Sequence, residues 1–412
     1  MRSNRIWLPS YCNPDAMLPK VQETRSLFAR KPYAFPDFVG KAMALLQSAE
    51  VRAMGFEFDP ARALPCKWKC ADESLYGVDL AIYAQTGHYP FDKGKLGGRF
   101  NDQSLGAAVH HGPVNVDFGG SHVGYAAGEG GGTFGTIWRP QHGVPSTDCG
   151  YLCNLLSRFQ REYDDAIQNI LVYRPAGAQV IMSVPNEFVQ PNWSARSVKL
   201  LVDTDTFTDG EVDYDQAVSC THTPIGRTLF RASKRFLDGL DPGQRDLLTS
   251  AEETPIGSAL TADFFSIFDV EAELDPHGLP QERLLLYMKY ILAARHAPPP
   301  LKAAIINANI EHNHLTDTVR APAYQPYAFA SFSGVFLDLF DDKHGRYATL
   351  FQPLAIAIKP AQRDREYEML PGEIHDRFDA LEPAQPAIPM SDVLRMSSFD
   401  HWVEQFTFDP SG

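Results

Sequence analysis

Residues 105–127 read LGAAVHHGPVNVDFGGSHVGYAA. The opening LGAAVH, residues 105–110, is small and apolar and suits a buried helix or strand, and Gly112-Pro113 then breaks it. Asn115–Phe118 and Val123–Ala127 read as two short strands. Upstream, Pro36-Asp37-Phe38 opens a helix whose one face carries Phe38, Ala42, Leu45, Leu46 and Ala49, with Gly55 just past its end. Another helix is expected near Leu75–Tyr83. Downstream, Gly128–Gly132 is a tight turn, and Gly135–Trp138 is the strand that follows it. Residues 148–172 have a helical period: Leu152, Leu155, Leu156, Phe159, Tyr163, Ile167 and Ile170 share a face, with Asp148 as the cap. Strands alternating with helices point to an α/β core.

The remainder is harder to read. Gln179–Val184 and Ser197–Val202 are strand candidates, and a helix is expected around Ile225–Leu240. Glu282–Arg295 reads as an amphipathic helix stopped by Pro298-Pro299-Pro300. Ala303–Ile310 reads as an apolar strand, and Tyr327–Leu339 as one or two more. Residues 345–412 are broken by prolines and are expected to wrap the surface. No internal repeat is visible.

The 412 residues are 44% hydrophobic and 11% aromatic, enough for a large core, so disorder is excluded for most of the length. Lys and Arg total 37 against 51 Asp and Glu, a formal net charge of −14. A field of that sign repels nucleic acid, and no basic run offsets it. No stretch reaches the roughly 18 apolar residues of a membrane span. The start, MRSNRIWLPSYCNPDAM, has no apolar segment of the kind a secretory signal carries, so a cytoplasmic setting is expected.

Six cysteines lie at positions 12, 66, 70, 149, 153 and 220, too few for a disulfide scaffold. Three readings of them are open. Cys70, His122 and Cys149 offer two thiolates and an imidazole, a zinc site whose fourth corner stays free for water or for Asp72, two residues from Cys70. Cys149 begins a helix, whose positive end favours a thiolate. Alternatively Cys66, Cys70, Cys149 and Cys153 form a structural site with four thiolates, although 78 residues separate the two pairs. A redox dithiol is the third reading, weakened by the Cys-x3-Cys spacing. The run Gly130-Gly131-Gly132-Thr133-Phe134-Gly135 matches a dinucleotide-loop pattern, but a strand follows it, which favours a hairpin. His110-His111 sit together and His312 and His314 lie two apart. Surface or core packing is the plainer reading of each. No serine nucleophile is nominated.

Several motifs in order resemble one family. They are Cys70-Ala71-Asp72-Glu73, Leu96-Gly97-Gly98, Leu105 to Pro113, Gly120-Ser121-His122-Val123-Gly124, and Ser146-Thr147-Asp148-Cys149-Gly150. Together they resemble the limiting-CO2-inducible protein B/C family, the LCIB-type carbonic anhydrases. Ala304 to His312, continuing to Tyr327-Ala328-Phe329, looks like that family's closing strands. The resemblance covers residues 66–155 and, more loosely, 282–340. It implies a β-carbonic-anhydrase-like fold, a mixed and mostly parallel sheet flanked by helices, in a homodimer. The expected organisation is an N-terminal helical arm over 1–65, the carbonic anhydrase domain over 66–345 with an insertion at about 156–281, and an extension over 346–412.

The resemblance also implies zinc held by Cys70, His122 and Cys149, with Asp72 beside the metal and carbon dioxide and bicarbonate as substrate and product. His110, His111 or His312 would carry the proton. One position departs. Enzymes of the β type often place an arginine where this chain has Ser74, to pair with the aspartate. Arg99 or Arg139 is the expected substitute partner for Asp72. The departure keeps a second reading in view, a non-catalytic zinc protein that senses bicarbonate or joins an assembly.

Overall fold

The computed structural model describes residues 27, 30–126, 133–188, 207–211, 218–219, 224–248, 250–260, 283–293, 297–341, 346–364 and 366–388. The chain divides into two compact units, Ser10–Asn154 with Ala294–Gly412, and Met1–Pro9 with Leu155–Ala293. Among the described residues no helix is long and apolar enough to cross a membrane.

The first unit runs β1 (Tyr33–Ala34), α1 (Phe35–Leu46), β2 (Ala63–Trp68), α2 (Tyr76–Thr86), β3 (Phe91–Asp92), α3 (Asp102–His111), β4 (Val114–Ala126), β5 (Thr133–Phe134), β6 (Thr136–Arg139), β7 (Val144–Thr147) and the start of α4 (Gly150–Asn169). It resumes with α5 (Pro299–Val319), β8 (Ala328–Asp341), β9 (Arg346–Lys359), β10 (Tyr367–Met369) and α6 (Pro371–Asp379). An eight-stranded sheet has the order β1-β9-β8-β4-β2-β3, with β10 beside β9 and β5 beside β4. The four strands β8, β4, β2 and β3 are mutually parallel, whereas β9 pairs antiparallel with β8. This is the expected mixed α/β architecture.

Period two along the strands sorts the residues between two faces. Phe118, Phe332, Phe336 and Phe351 face α1 and pack with its Phe35 and Phe38, whose rings lie 4.4–6.2 Å from them. Each such ring contributes about 2–3 kcal/mol of burial. Ser121 and Ser333 face α5, which donates to Ser121 Oγ from Asn307 and sets His312 Nδ1 2.6 Å from Ser333 Oγ.

Several sequence expectations change. Ala303–Ile310 lies inside the 21-residue helix α5, not in a strand. A short apolar run fits a buried helix as well as a strand, and the prolines that end one helix also supply the first turn of the next. The two short strands at 115–127 are one strand, β4. Gly119 does not break it, because a Cβ there would lie 2.1 Å from the Trp68 indole. Arg346–Lys359, expected in a surface extension, is a core strand paired with β8 along its length. Phe35 and Phe38 likewise place α1 in the core rather than in an arm. The glycine run joins strands that pair antiparallel, Tyr125 with Phe134, although residues 127–132 lie outside the described residues.

In Leu155–Ala293 an antiparallel sheet has the order Phe207–Glu211, Arg227–Ala232, Ile181–Pro185, Leu171–Tyr173 and Thr254–Pro255. The helix expected over 225–240 is a strand followed by the short helix Lys234–Asp238, capped by Ser233. Arg283–Tyr287 is a 3-10 turn leading into the helix Met288–Ala293. The candidate strand at 197–202 and Cys12 and Cys220 lie outside the described residues.

Candidate metal centre

Parallel strands leave their carboxyl ends together, and open α/β sheets place ligands there. β2 ends at Trp68, paired with Gly119 of β4, and the chain turns through Lys69 to Cys70. β4 continues three residues further to His122. β7 ends at Thr147, and Asp148-Cys149 make the bend into α4. Cys149 has φ +41°, a left-handed conformation that costs a residue with a side chain about 1–3 kcal/mol.

These elements bring Cys70, His122 and Cys149 together. Their ligand atoms all lie within 4.8 Å of one another, and the three residues are buried. Two sulfurs about 2.3 Å from a tetrahedral zinc stand about 3.8 Å apart, so little movement separates this arrangement from a ligand set. His122 Nε2 is buried and has no geometric hydrogen-bond partner among the described residues, whereas Nδ1 lies 2.7 Å from Asp338 Oδ2 and 3.3 Å from Asp148 Oδ2. Two buried thiols and an imidazole with a ring nitrogen left over fit a divalent zinc ion.

The metal-free electrostatics agree with that. A hydrogen bond from Cys149 holds the Cys70 thiol down to about 3 against burial, helped by His122 and by the Gly97 N–H, 3.2 Å from the sulfur. The same contact with Cys70, together with burial, pushes the Cys149 thiol well up. The two sulfurs thus share a proton that a metal displaces. Burial opposes charge on His122, but Cys149, Asp148 and Asp338 raise it well above the usual histidine range. Burial lifts the Asp338 carboxyl to about 7.

Asp72 is paired. Arg139, carried by β6, donates from Nη2 to Asp72 Oδ1 and Oδ2 at 3.3 and 3.1 Å and to Asp148 Oδ1 at 3.4 Å, and it also bonds Glu73. Burial pushes the Asp72 carboxyl up, but the Ser74 N–H, His122 and Arg139 outweigh it and hold the group below the usual range. Ser74 itself turns inward, donating from Oγ to Asp338 Oδ2 at 2.7 Å. Of the two arginines named from sequence, Arg139 holds Asp72. Arg99 lies over the Tyr151 ring at 4.8 Å and donates to the Leu96 carbonyl.

The other sequence candidates are placed elsewhere. His110 and His111 are exposed at the end of α3, before β4 begins. The eight residue steps from Val114 to His122 span about 26 Å of strand. His312 lies on the α5 face of the sheet, against Ser333, the opposite face from His122. Cys66 pairs in register with Asp117 on that same opposite face, 3.6 Å from Asn115 Oδ1, and burial pushes its thiol up to about 12. Cys153 donates to the Asp148 carbonyl at 3.2 Å. The four-thiolate site therefore does not form. Sequence reading missed Asp338. The signal was a lone carboxylate inside Phe336-Leu337-Asp338-Leu339-Phe340.

A cavity of about 600 Å3 adjoins the cluster, lined by Cys70, Asp72, Glu73, Tyr76, Leu96 and Tyr347 with Lys67, Lys69 and Lys95.

No protein-family model matches the sequence, and no curated protein matches it. Among solved structures the chain is similar to the limiting CO2-inducible protein LCIB, with 14% identity over 84% of this chain and 96% of that one and a TM-score of 0.40. It is similar to the homolog PtLCIB4, with 12% identity over 80% and 93% and a TM-score of 0.43. A point mutant of PtLCIB4 gives 11% identity over 85% and 97% and a TM-score of 0.44.

Proposed function

We propose that the chain is a zinc-dependent carbonic anhydrase that interconverts carbon dioxide and bicarbonate. The observation that carries this reading is the buried convergence of Cys70, His122 and Cys149, whose ligand atoms lie within 4.8 Å of one another. These three side chains would hold the ion, and a bound zinc would supply water acidified to near neutrality. Three protein ligands leave a corner free for chemistry.

Asp72 works beside that corner. Arg139 takes both of its oxygens, so the carboxylate is kept charged and is restrained from swinging onto the ion. A fixed, charged Asp72 would accept a hydrogen bond from the water at that corner and so orient it, while the released proton leaves through the cavity. The substrate name comes from the sequence resemblance. The cavity beside Cys70 and Asp72 gives carbon dioxide an entrance and the released proton an exit. A homodimer and a cytoplasmic setting go with this reading.

Metal analysis paired with a stopped-flow indicator assay of hydration tests it. The expected result is about one zinc per chain and activity that is lost in Cys70→Ser and in His122→Ala. Full activity in both variants overturns the proposal. Zinc uptake without hydration favours a bicarbonate-binding homologue instead.

A further inference from the structure

We infer that Asp338, held by Ser74, is the positioning residue that fixes the His122 tautomer and so aims its Nε2 at the metal. The inference rests on the metal reading above. Phe336 of β8 lies opposite His122 in the parallel register, and Asp338, two residues on, shares the face of the imidazole. Its Oδ2 sits 2.7 Å from His122 Nδ1 and accepts from Ser74 Oγ at 2.7 Å. Asp338 and His122 are wholly buried, and Ser74 is 1% exposed.

A neutral imidazole has one N–H. With Nδ1–H donated to Asp338, the Nε2 lone pair is left for a metal. A donor from Ser74 to the same oxygen keeps Oδ2 an acceptor. Asp148 is the rival for Nδ1, but at 3.3 Å it is the farther of the two carboxylates, and its Oδ1 takes Arg139. Asp148 therefore belongs with Arg139 and Asp72, and Asp338 with His122. Ser74 gains a purpose: where related enzymes are expected to carry an arginine for the catalytic aspartate, this chain serves the histidine instead. Arginine comes to Asp72 from β6.

The test measures zinc affinity of the full chain by chelator competition, with the cobalt-substituted absorption spectrum as a second readout. Asp338→Asn keeps the shape but offers an amide that donates as readily as it accepts. It is expected to weaken zinc binding about 10–100-fold and to shift the cobalt bands. Ser74→Ala is expected to weaken binding less, and Ser74→Thr, which restores the hydroxyl, to recover it. A wild-type chain that binds zinc while Asp338→Asn binds within about twofold, with an unchanged cobalt spectrum, overturns the inference and leaves the metal reading standing. If Asp338→Asn does not fold, the serine pair decides: equal affinity in Ser74→Ala and Ser74→Thr overturns it. A wild-type chain that takes up no zinc fails the metal reading itself, and the inference with it.

Discussion

Asp72 illustrates how one position shapes the chemistry of its neighbours. Ser74 removes an arginine from the loop that carries Asp72, and Arg139 restores a guanidinium from a hairpin 67 residues away. Truncating Arg139 leaves a carboxylate beside the metal corner without its cation. Arg139→Ala is expected to lower hydration about 10–100-fold while zinc content stays near that of the wild type. Arg139→Lys should recover little, since an ammonium cannot reproduce the fork that sends Nη2 to Asp72 and Asp148 and Nη1 to Glu73. Parallel metal analysis and steady-state kinetics check both points. If zinc is lost with activity, Arg139 holds the site together rather than Asp72 in place. Cys70, His122 and Cys149, which the fold brings together, were legible in sequence as one of three open readings of the cysteines. Asp338 was not, because its role depends on which strand lies beside β4. That adjacency is set by the tertiary fold.

At the scale of elements, helix α5 shows where local pattern gives out. Its residues from Leu301 to His312 are all buried, so no polar face marks a period of 3.6. Its polar residues are explained only by what the sheet offers them, as Asn307 shows by reaching Ser121 and the Gly97 carbonyl. By contrast α1 and α4 were readable, since each keeps one wet face. Burial on α5 also has an electrostatic consequence. Lys302 is 1% exposed, and burial pushes its ammonium down to about 8, below the usual lysine value. Below pH 8 the chain carries that charge both folded and unfolded, and burial makes the charge costlier in the folded state. Between about pH 8 and 10.5 the folded state gives up its proton first, so the unfolded state binds more protons and stability rises with pH. Lys302→Met is therefore expected to stabilise the protein at pH 7 by up to about 3 kcal/mol, and by much less at pH 10. Urea unfolding at the two pH values measures it. A gap that stays constant would mean that Lys302 keeps its charge in the fold.

For the whole molecule, all the residues of the candidate centre come from one compact unit. Cys70, Asp72, Ser74, His122, Arg139, Asp148 and Cys149 precede Leu155, and Asp338 follows Ala293. The other unit, Leu155–Ala293, has its own antiparallel sheet and buries Val172, Met182, Val184 and Phe230 within it. Two cores in one chain violate the conditions for a single unfolding step, so calorimetry should resolve two transitions. If zinc binds as proposed, it binds the folded ligand set far better than the unfolded chain, and mass action then stabilises only the unit that holds it. At a free zinc concentration a thousandfold above the dissociation constant the gain is about 4 kcal/mol. For a unit of this size that is roughly 10 °C in its midpoint. The transition of the other unit should stay where it was, and His122→Ala should abolish the shift without merging the two. A single transition that moves as one with zinc would mean that the units unfold together, and the metal would then stabilise the chain as a whole.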